Sequence, residues 1–294
     1  MIDADLARAD GTGEDTFREH VSAIGAKEIH VDTIEVVSDG RDGGDGIIRV
    51  TGTPTDLTLA PQAYYLAQDL KGTLVTDYIL HPDVNYIEIK TTFKNASAPL
   101  PSVQPADFIG FGGANRLHTP EFGFGDVPFF STVSMLQGVR GDRVSYAIVS
   151  PDDDIVIPFS DQGNTAPFYG TGVAVGSEHE FVRYFLVGDG SIDSPASHAL
   201  PQHNMPRGTL GGVVKDASGA PAAGVLVAAL SGSLDDASGH VHVVNEARTK
   251  ADGTYAMTIA PGTYTLIAHP ASSDDGRARS SEVTATVGDG ANAT

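Results

Sequence analysis

Three aspartates in the stretch SDGRDGGDG, residues 38–46, are the first side chains whose type and spacing suggest chemistry. Asp39, Asp42 and Asp45 lie three positions apart with glycines around them. Carboxylate oxygens are the ligands that Ca²⁺ prefers, and an EF-hand loop takes them at positions 1, 3, 5 and 12. Counted from Asp39, position 3 is the cation Arg41, so the EF-hand spacing is absent. We expect a tight Gly-Asp turn between two strands, with convergence of the three carboxylates on Ca²⁺ as the alternative.

Two histidines, His240 and His242, form a second candidate metal site. A strand points every second side chain to the same face, so both imidazoles of this H-x-H would face one way. Two imidazoles can ligate Zn²⁺, but a further ligand is needed, and Glu246 and Asp252 are the nearby candidates. The alternative is a pair of exposed histidines on a hairpin without a metal.

The third candidate lies in a long irregular segment, residues 98–130, which is rich in proline, glycine and phenylalanine. Long segments without regular structure often carry function in compact domains. Sugars bind to aromatic faces and planar polar side chains, because a pyranose offers an apolar face and a rim of hydroxyls. The residues that fit this pattern are Asn115, Arg116, His118, Glu121, Phe122, Phe124 and Asp126. The alternative is that the aromatic residues only anchor the segment on a sheet: Phe122, Phe124, Phe129 and Phe130.

The other acidic and imidazole groups match no catalytic spacing. The run Asp152, Asp153 and Asp154 is typical of a hairpin tip, where aspartates bond the local backbone, with a Ca²⁺ role as the alternative. Nucleophile-elbow and P-loop motifs are absent from the sequence, and no G-x-G-x-x-G occurs in a strand-to-helix context. The remaining scattered histidines define no triad: His179, His198 and His203.

The elements that would position these residues are strands. From residue 28 onward, short runs rich in Val, Ile, Thr, Tyr and Phe alternate with Gly, Pro, Asn and Asp, as is typical of antiparallel sheets. Residues 15–26 carry a thin apolar stripe, which predicts a short helix. Residues 193–208 contain three prolines and no strand pattern, which predicts a linker and a domain boundary near residue 206.

Composition narrows the classes of function. The chain has 294 residues, 40% of them hydrophobic, which suffices for a folded core and favours two domains. Its formal charge of −20 opposes binding to nucleic acids and to anionic membranes, since both attract Lys and Arg. The absence of cysteine excludes disulfides and thiol chemistry. The sequence shows neither a signal peptide nor an apolar stretch of membrane-spanning length.

The C-terminal part has a recognisable pattern of glycines, aspartates and tyrosines. GGVVKDASGAPAAGVLVAAL followed by TKADGTYAMTIAPGTYTLIAHP closely resembles the carboxypeptidase regulatory-like family, whose members are small prealbumin-like β-sandwiches. The residues that carry the resemblance are Gly212, Val214, Asp216, Gly219, Pro221, Gly224, Val225, Val227, Thr249, Asp252, Gly253, Tyr255, Pro261, Gly262, Tyr264 and Leu266. Asp-Gly and Pro-Gly are turn dipeptides, and the spacing of Tyr255 and Tyr264 predicts the two strands of one hairpin. The resemblance implies an accessory, extracytoplasmic module without chemistry of its own.

The preceding part resembles galactose-mutarotase-like super-sandwiches through the strand pair GTLVTDYILHPDVNYIEIKTTFKNAS and the later EFVRYFLVGDGS. Together with a regulatory-like domain, this order resembles the N-terminal half of secreted metallohydrolases of the CehA/McbA type. The resemblance implies a non-catalytic region, because the catalytic PHP-type domain would follow Thr294. It also implies an incomplete sandwich, which lacks its first strands. Rhamnogalacturonan lyases share the layout and are the alternative, although no motif matches their catalytic Lys and His chemistry at Lys71, Lys90 or Lys94.

We therefore expect an all-β chain: an acidic segment at 1–26, a large antiparallel sandwich at 27–205 and a small Ig- or prealbumin-like sandwich at 206–294. The expected function is a non-catalytic accessory region of a secreted hydrolase that binds carbohydrate. The alternatives are a polysaccharide lyase or other sugar-active enzyme, and a structural or adhesion module. We expect a glycan ligand, no nucleic acid or membrane partner, further domains in a longer protein and an extracytoplasmic location. Ca²⁺ is the one cofactor that stays open.

Overall fold

The computed structural model describes residues 6–7, 14–22, 26–58, 70–97, 102–110, 116–140, 144–151, 154–158, 160–161, 164–170, 172–202, 205–235, 241–271 and 276–293. The strands of the first half are β1 (Leu6–Ala7), β2 (Glu14–Ser22), β3 (Ala26–Asp39), β4 (Gly46–Thr58), β5 (Gly72–Leu80), β6 (Tyr86–Asn95), β7 (Ser102–Gly110), β8 (Arg116–Thr119), β9 (Gly123–Phe124), β10 (Ser131–Val133), β11 (Leu136–Arg140) and β12 (Val144–Val149). The elements that follow are β13 (Ile155–Ile157), β14 (Ser160–Asp161), β15 (Asn164–Thr165), β16 (Val173–Ala174), β17 (Glu178–Gly188), helix α1 (Asp193–Gln202), β18 (Gly208–Val213), β19 (Leu226–Leu230), β20 (Val243–Arg248), β21 (Thr254–Ile259), β22 (Gly262–His269), β23 (Val283–Val287) and β24 (Asn292–Ala293).

The chain folds into two compact units that interleave along the sequence. The first unit comprises Met1–Gly113, Asp126–Val133 and Ile148–Phe185, and the second comprises Ala114–Gly125, Ser134–Ala147 and Leu186–Thr294. Two short segments from the middle of the chain therefore fold with the C-terminal residues. The predicted boundary near residue 206 stays a prediction.

The first unit is built on one broad sheet in the order β14-β15-β7-β2-β3-β4-β5-β6-β17. Neighbouring strands from β14 to β6 pair antiparallel. One face of this sheet buries Leu74 and Phe93, and the short sheet β10-β13 adds the fully buried Ile155 and Ile157. The alternation of apolar and polar residues along the strands thus produces a core on one face, as expected for an antiparallel sheet.

Charged residues on the opposite face follow one row across four strands. Glu35 lies opposite Arg49, Arg49 opposite Asp77, and Asp77 opposite Lys90. The Arg49 guanidinium donates two hydrogen bonds of 2.7 Å to the Asp77 carboxylate, and Lys90 pairs with Glu180 at 3.1 Å. Opposite charges on directly paired residues stabilise the register of a sheet.

The second unit contains a small sandwich of a three-stranded sheet, β21-β18-β24, and a four-stranded sheet, β20-β19-β22-β23. Its core contains Leu210, Val227, Ala229, Met257, Ile259, Tyr264, Leu266 and Val287. The expectation of an all-β, sandwich-like fold is confirmed. The predicted hairpin of Tyr255 and Tyr264 is wrong, because β21 and β22 belong to different sheets and Pro261-Gly262 leads from one sheet to the other.

Two local predictions are also wrong. Residues 14–22 form strand β2, not a helix, because pairing with β3 and β7 provides backbone hydrogen bonds that outweigh a weak helical preference. Within the predicted linker at 193–208, Asp193–Gln202 form helix α1. The Ser191 hydroxyl accepts a hydrogen bond from the Ser194 amide at its start, and Pro195 lies in the first turn. Proline is tolerated in a first helical turn, since its missing N–H would have no partner there. No helix among the described residues has the length and apolar character to cross a membrane.

Candidate functional site

Only the central part of the segment predicted to bind a ligand, Ala114–Gly125, belongs to the second unit, and two histidines connect this part to the C-terminal sandwich. His118 Nε2 is 2.9 Å from the Val243 carbonyl oxygen, and His242 Nε2 is 3.2 Å from the Pro120 carbonyl oxygen. A carbonyl oxygen only accepts, so each imidazole donates to the backbone of the other segment. We call these two contacts the histidine staple. The staple joins a turn of the middle segment to the start of β20.

His118 is held in place by its neighbours in the sheet β9-β8-β11. Gln137 and Phe124 are its direct partners on the two adjacent strands. Its Nδ1 lies 2.9 Å from Gln137 Oε1, and its ring packs on Phe124 with 4.9 Å between centroids. Complete burial lowers the pKa of His118 to about 4, against the opposing effect of its bonds to Val243 and Gln137. Burial therefore opposes the charged imidazole, whereas the two acceptor oxygens that face its ring nitrogens favour it. In either form His118 serves as a structural donor inside the unit.

Glu121 and Gly123 shape the turn that follows His118. Glu121 Oε1 accepts hydrogen bonds from the amide and the hydroxyl of Ser134, at 2.9 and 2.5 Å. Gly123 has a φ of +74°, and a Cβ atom there would lie 2.7 Å from the Cβ of His242. The absence of a side chain at Gly123 thus allows the turn to approach His242. Among the described residues, Glu121 Oε2 has no hydrogen-bond partner, and the side chain is exposed to solvent.

A buried carboxyl group lies at the start of helix α1. Asp193 Oδ1 accepts hydrogen bonds from Asn245 Nδ2 at 3.0 Å and from the Thr258 amide at 2.7 Å. Burial raises the pKa of Asp193 to about 7, although both hydrogen bonds favour the charged form. Asn245 also donates to the Thr258 carbonyl, so the helix is tied to β20 and β21. Sequence reasoning missed this group because Asp193 was assigned to a linker.

These elements enclose a cleft of about 210 Å³. Its apolar lining comes from Pro120, Met135, Ala196, Met205, Val244, Ile259 and Ala260. Its polar lining comes from Glu121, Ser134, Gln137, Asn245 and Thr258. Apolar walls with a few fixed polar groups are typical of small-molecule sites. Among the described residues, the lining carboxylate of Glu121 uses only one of its two oxygens in hydrogen bonds.

The first unit contains a second polar cluster on the inner face of its sheet, which the sequence did not reveal. The Arg183 guanidinium donates to both oxygens of Asp107, at 2.6 and 2.9 Å, and to Thr91 Oγ1 at 2.8 Å. It also lies over the rings of Tyr169 and Phe181, at 5.5 and 5.1 Å from their centroids. Arg183 and Asp107 are both 0% exposed. A group that no solvent reaches cannot contact a polysaccharide, so this pair has a structural role.

The aspartates of the β3–β4 turn point to separate partners. Asp39 Oδ1 accepts from the Arg41 amide at 3.1 Å, and Asp42 Oδ1 accepts from the Gly44 amide at 3.0 Å. Asp45 Oδ1 lies 2.8 Å from Nδ1 of His81, whose Nε2 lies 3.0 Å from Glu88 Oε2. The hydrogen bonds to Glu88 and Asp45 raise the pKa of His81. Two of the three carboxylates thus shape the turn, and the third holds an imidazole.

The remaining candidate residues are distributed as follows. Four of these residues and one side chain lie outside the part of the structure that is described: Asn115, Asp152, Asp153, His240 and the side chain of Arg116. Phe122 is 40% exposed beside the Glu121 turn. Glu246 lies 3.0 Å from His269, and Asp252 accepts from the Thr254 amide and hydroxyl, so each has a partner other than His242. In the described ranges no three His, Asp or Glu side chains are grouped as a metal site.

Residues 209–294 match the family model of the carboxypeptidase regulatory-like domain. The C-terminal part of the chain is therefore such a domain, as its turn residues predicted. Asp216 Oδ1 accepts from the amides of Ser218 and Ala220, and Gly219 adopts a φ of +85°, which explains the D-x-x-G spacing of the pattern. A comparison with curated proteins finds no match.

Solved structures with weak similarity include sugar-active enzymes. The GH36 alpha-galactosidase AgaA from Geobacillus stearothermophilus matches 61% of this chain with 31% of its own, at 9% identity and a TM-score of 0.36. The alpha-galactosidase from Lactobacillus brevis matches 65% with 31% of its own, at 9% identity and a TM-score of 0.34. A polysaccharide lyase matches 91% with 38% of its own, at 9% identity and a TM-score of 0.32. This chain thus spans about a third of the length of these enzymes, and similarity at this level assigns it no activity.

Proposed function

We propose that this chain is the non-catalytic accessory region of a secreted hydrolase and that it binds carbohydrate in the cleft beside Glu121. The observation that carries the proposal is the combination of apolar walls with one carboxylate that Ser134 fixes through a single oxygen. A pyranose has an apolar face and a rim of hydroxyl donors, which such a cleft can accommodate. The volume of about 210 Å³ suits one sugar residue at a chain end.

The burial of the other polar groups supports binding over catalysis. General acid–base catalysis needs a titratable group within hydrogen-bond reach of the substrate. His118 is completely buried, and Arg183 and Asp107 neutralise each other inside the first unit. Glu121 contacts the cleft without a second acid or base beside it among its hydrogen-bond partners. These observations favour recognition of a sugar rather than its cleavage.

The accessory role and the extracytoplasmic location rest on the C-terminal domain. Residues 209–294 are a carboxypeptidase regulatory-like domain, and the resemblance implies a module that accompanies other domains in an exported protein. The link to metallohydrolases of the CehA/McbA type rests on the order of segments in the sequence alone. An immunoblot of source cells and their medium tests both points, because an accessory region of a larger enzyme gives an extracellular band well above 30.5 kDa.

Calorimetry with a panel of oligosaccharides tests the binding site. Glu121→Gln keeps Oε1 as an acceptor for Ser134 but removes the negative charge from the cleft. We expect this variant to lose roughly tenfold or more in affinity, the value of one charge-assisted hydrogen bond. Glu178→Gln is the matched control, since Glu178 is exposed on β17 of the first unit. Equal affinities of wild type and Glu121→Gln would move the site away from the cleft.

A polysaccharide lyase is the alternative function, and the reaction products of such an enzyme test it. Lyases leave unsaturated uronates, which absorb ultraviolet light, so incubation with rhamnogalacturonan or polygalacturonate gives a direct readout. We expect no rise in absorbance with either polysaccharide. A rise that follows enzyme concentration would show catalysis and end the accessory proposal. A chain that binds no glycan in the panel would instead favour the structural or adhesion module.

A further inference from the structure

Two adjacent phenylalanines project from a turn of the first unit. Phe129 and Phe130 are 72% and 62% exposed, and their rings meet edge to face at 4.5 Å between centroids and 79° between planes. The turn is closed by a hydrogen bond of 3.1 Å from the Ser131 amide to the Pro128 carbonyl. Turns usually carry polar residues. Two solvent-exposed aromatic side chains that contact each other are therefore unusual at this position.

The backbone of this turn is strained and firmly anchored. Phe130 has a φ of +58°, a left-handed conformation that costs free energy for any residue with a side chain other than Asn or Asp. Val127 before the turn is 4% exposed, and Val133 after it is 1% exposed. Val133 also pairs with Ile155 in the sheet β10-β13. The buried residues on both sides of the turn maintain the strained conformation of Phe130 and keep the two rings exposed to solvent. Backbone strain of this kind is often found at binding sites.

We propose that Phe129 and Phe130 form a stacking corner for a neutral glycan chain, a proposal that rests on the carbohydrate-binding function above. Two rings at nearly a right angle offer one face and one edge, so a pyranose can lay its apolar face on one ring and touch the other with its rim. Asp126, three residues before Phe129, is exposed, and its Oδ1 lies 3.3 Å from Ser160 Oγ. The exposed Asp126 carboxylate, which precedes the corner by three residues, can accept hydrogen bonds from sugar hydroxyls.

The charge of the chain selects a neutral glycan as the occupant. The chain carries a formal charge of −20. Asp126 is exposed shortly before the turn, and the exposed Asp154 precedes Ile155, the strand partner of Val133. Negative charge opposes anionic lipid surfaces and uronate-rich polysaccharides, because both repel carboxylates. A neutral polysaccharide avoids this repulsion and uses the carboxylate as a hydrogen-bond acceptor.

The test compares the full chain with the double variant Phe129→Ser, Phe130→Gly. Glycine removes the left-handed strain at position 130, so the variant is expected to melt at the same temperature as wild type or higher. Affinity electrophoresis in gels that contain galactan, xylan or xyloglucan measures binding. We expect the variant to lose about tenfold or more in affinity, the contribution of aromatic stacking. Val175→Ser is the control, since Val175 is an exposed apolar residue on another turn of the same unit.

Each outcome distinguishes the stacking corner from the general function. Wild type and the double variant retarded to the same degree would overturn the corner but leave carbohydrate binding intact. Wild type retarded in none of the gels would overturn the corner, and carbohydrate binding as a whole is overturned when calorimetry with the oligosaccharide panel also shows no binding. Retardation stronger in polygalacturonate than in neutral gels would contradict the choice of a neutral glycan. In a further outcome, wild type binds phosphatidylcholine vesicles but is retarded in none of the gels, and the double variant no longer binds the vesicles. This result would assign the corner to a lipid surface and refute the proposal.

Discussion

Removal of the guanidinium of Arg183 is expected to be among the most damaging single substitutions in the first unit. Arg183 and Asp107 are both 0% exposed, and three hydrogen bonds of 2.6 to 2.9 Å hold the guanidinium. Arg183→Met fills a similar volume but leaves the Asp107 carboxylate without its counter-charge. Breaking a buried ion pair in this way costs about 3–5 kcal/mol.

Urea unfolding of the full chain, followed by intrinsic tyrosine fluorescence and circular dichroism, measures the effect. With a slope of about 2–3 kcal/mol per molar urea, the expected loss moves the midpoint of the first transition down by roughly 1–2 M. The double variant Arg183→Met, Asp107→Leu should recover most of the loss, because no charge then stays buried without a partner. Recovery separates the charge effect from a packing defect.

Arg49→Met is the matched control, since Arg49 also binds an aspartate with two hydrogen bonds, here of 2.7 Å. Its side chain is 43% exposed, and pairs that solvent reaches contribute about 0–1 kcal/mol. The reasoning is refuted if Arg183→Met and Arg49→Met destabilise the chain equally. It also fails if the double variant is no more stable than Arg183→Met, because the loss would then come from packing and not from the unpaired charge.

Three further predictions concern pH and backbone geometry. The bonds to two carboxylates raise the pKa of His81 above its ordinary 6.5, so its contribution to stability is present below pH 6.5 and is lost as the pH rises through the raised value. His81→Gln should remove that pH dependence in urea unfolding, and an NMR titration that places the wild-type pKa below 6.5 would contradict this prediction. Burial raises the pKa of Asp193 from 3.8 to about 7, so the free energy of unfolding of wild type should fall as the pH rises from 3.8 to 7. Asp193→Asn should not show this fall. Above pH 7 this variant should therefore be more stable than wild type. Gly253 has a φ of +74° and a Cβ there would lie 2.5 Å from the Val214 carbonyl oxygen, so Gly253→Ala should cost more than about 1 kcal/mol in thermal unfolding. Gly219→Ala, at a φ of +85° in open space, should cost less, and an equal cost at both positions would show that the close contact is unimportant.

The fold was predictable where local chemistry decides the structure. The Asp-Gly turns of the C-terminal domain are examples, since Asp252 accepts from the Thr254 amide and hydroxyl and Gly253 adopts a positive φ. These contacts span two residues, so the sequence contains the whole interaction. Strand patterns are equally local, so the all-β class follows from the sequence itself.

Contacts between distant residues limited the prediction of the site. His118 and Val243 are 125 positions apart, and Asp193 and Thr258 are 65 positions apart. Nothing in the spacing of single residues shows that such pairs meet. The helix α1 was missed for a related reason, because its three-proline segment suggests a break, while a serine cap and packing on β20 and β21 keep it helical.

The histidine staple changes how the predicted binding residues should be understood. Sequence reasoning assigned His118 to a sugar and His242 to a metal, yet each donates to a backbone carbonyl of the other's segment. The cleft has Pro120 and Glu121 on one wall and Val244 on another, so its shape depends on the staple that joins those walls. In the proposed binding site, both histidines would therefore act through the position of Glu121, as positioning residues rather than as ligand contacts.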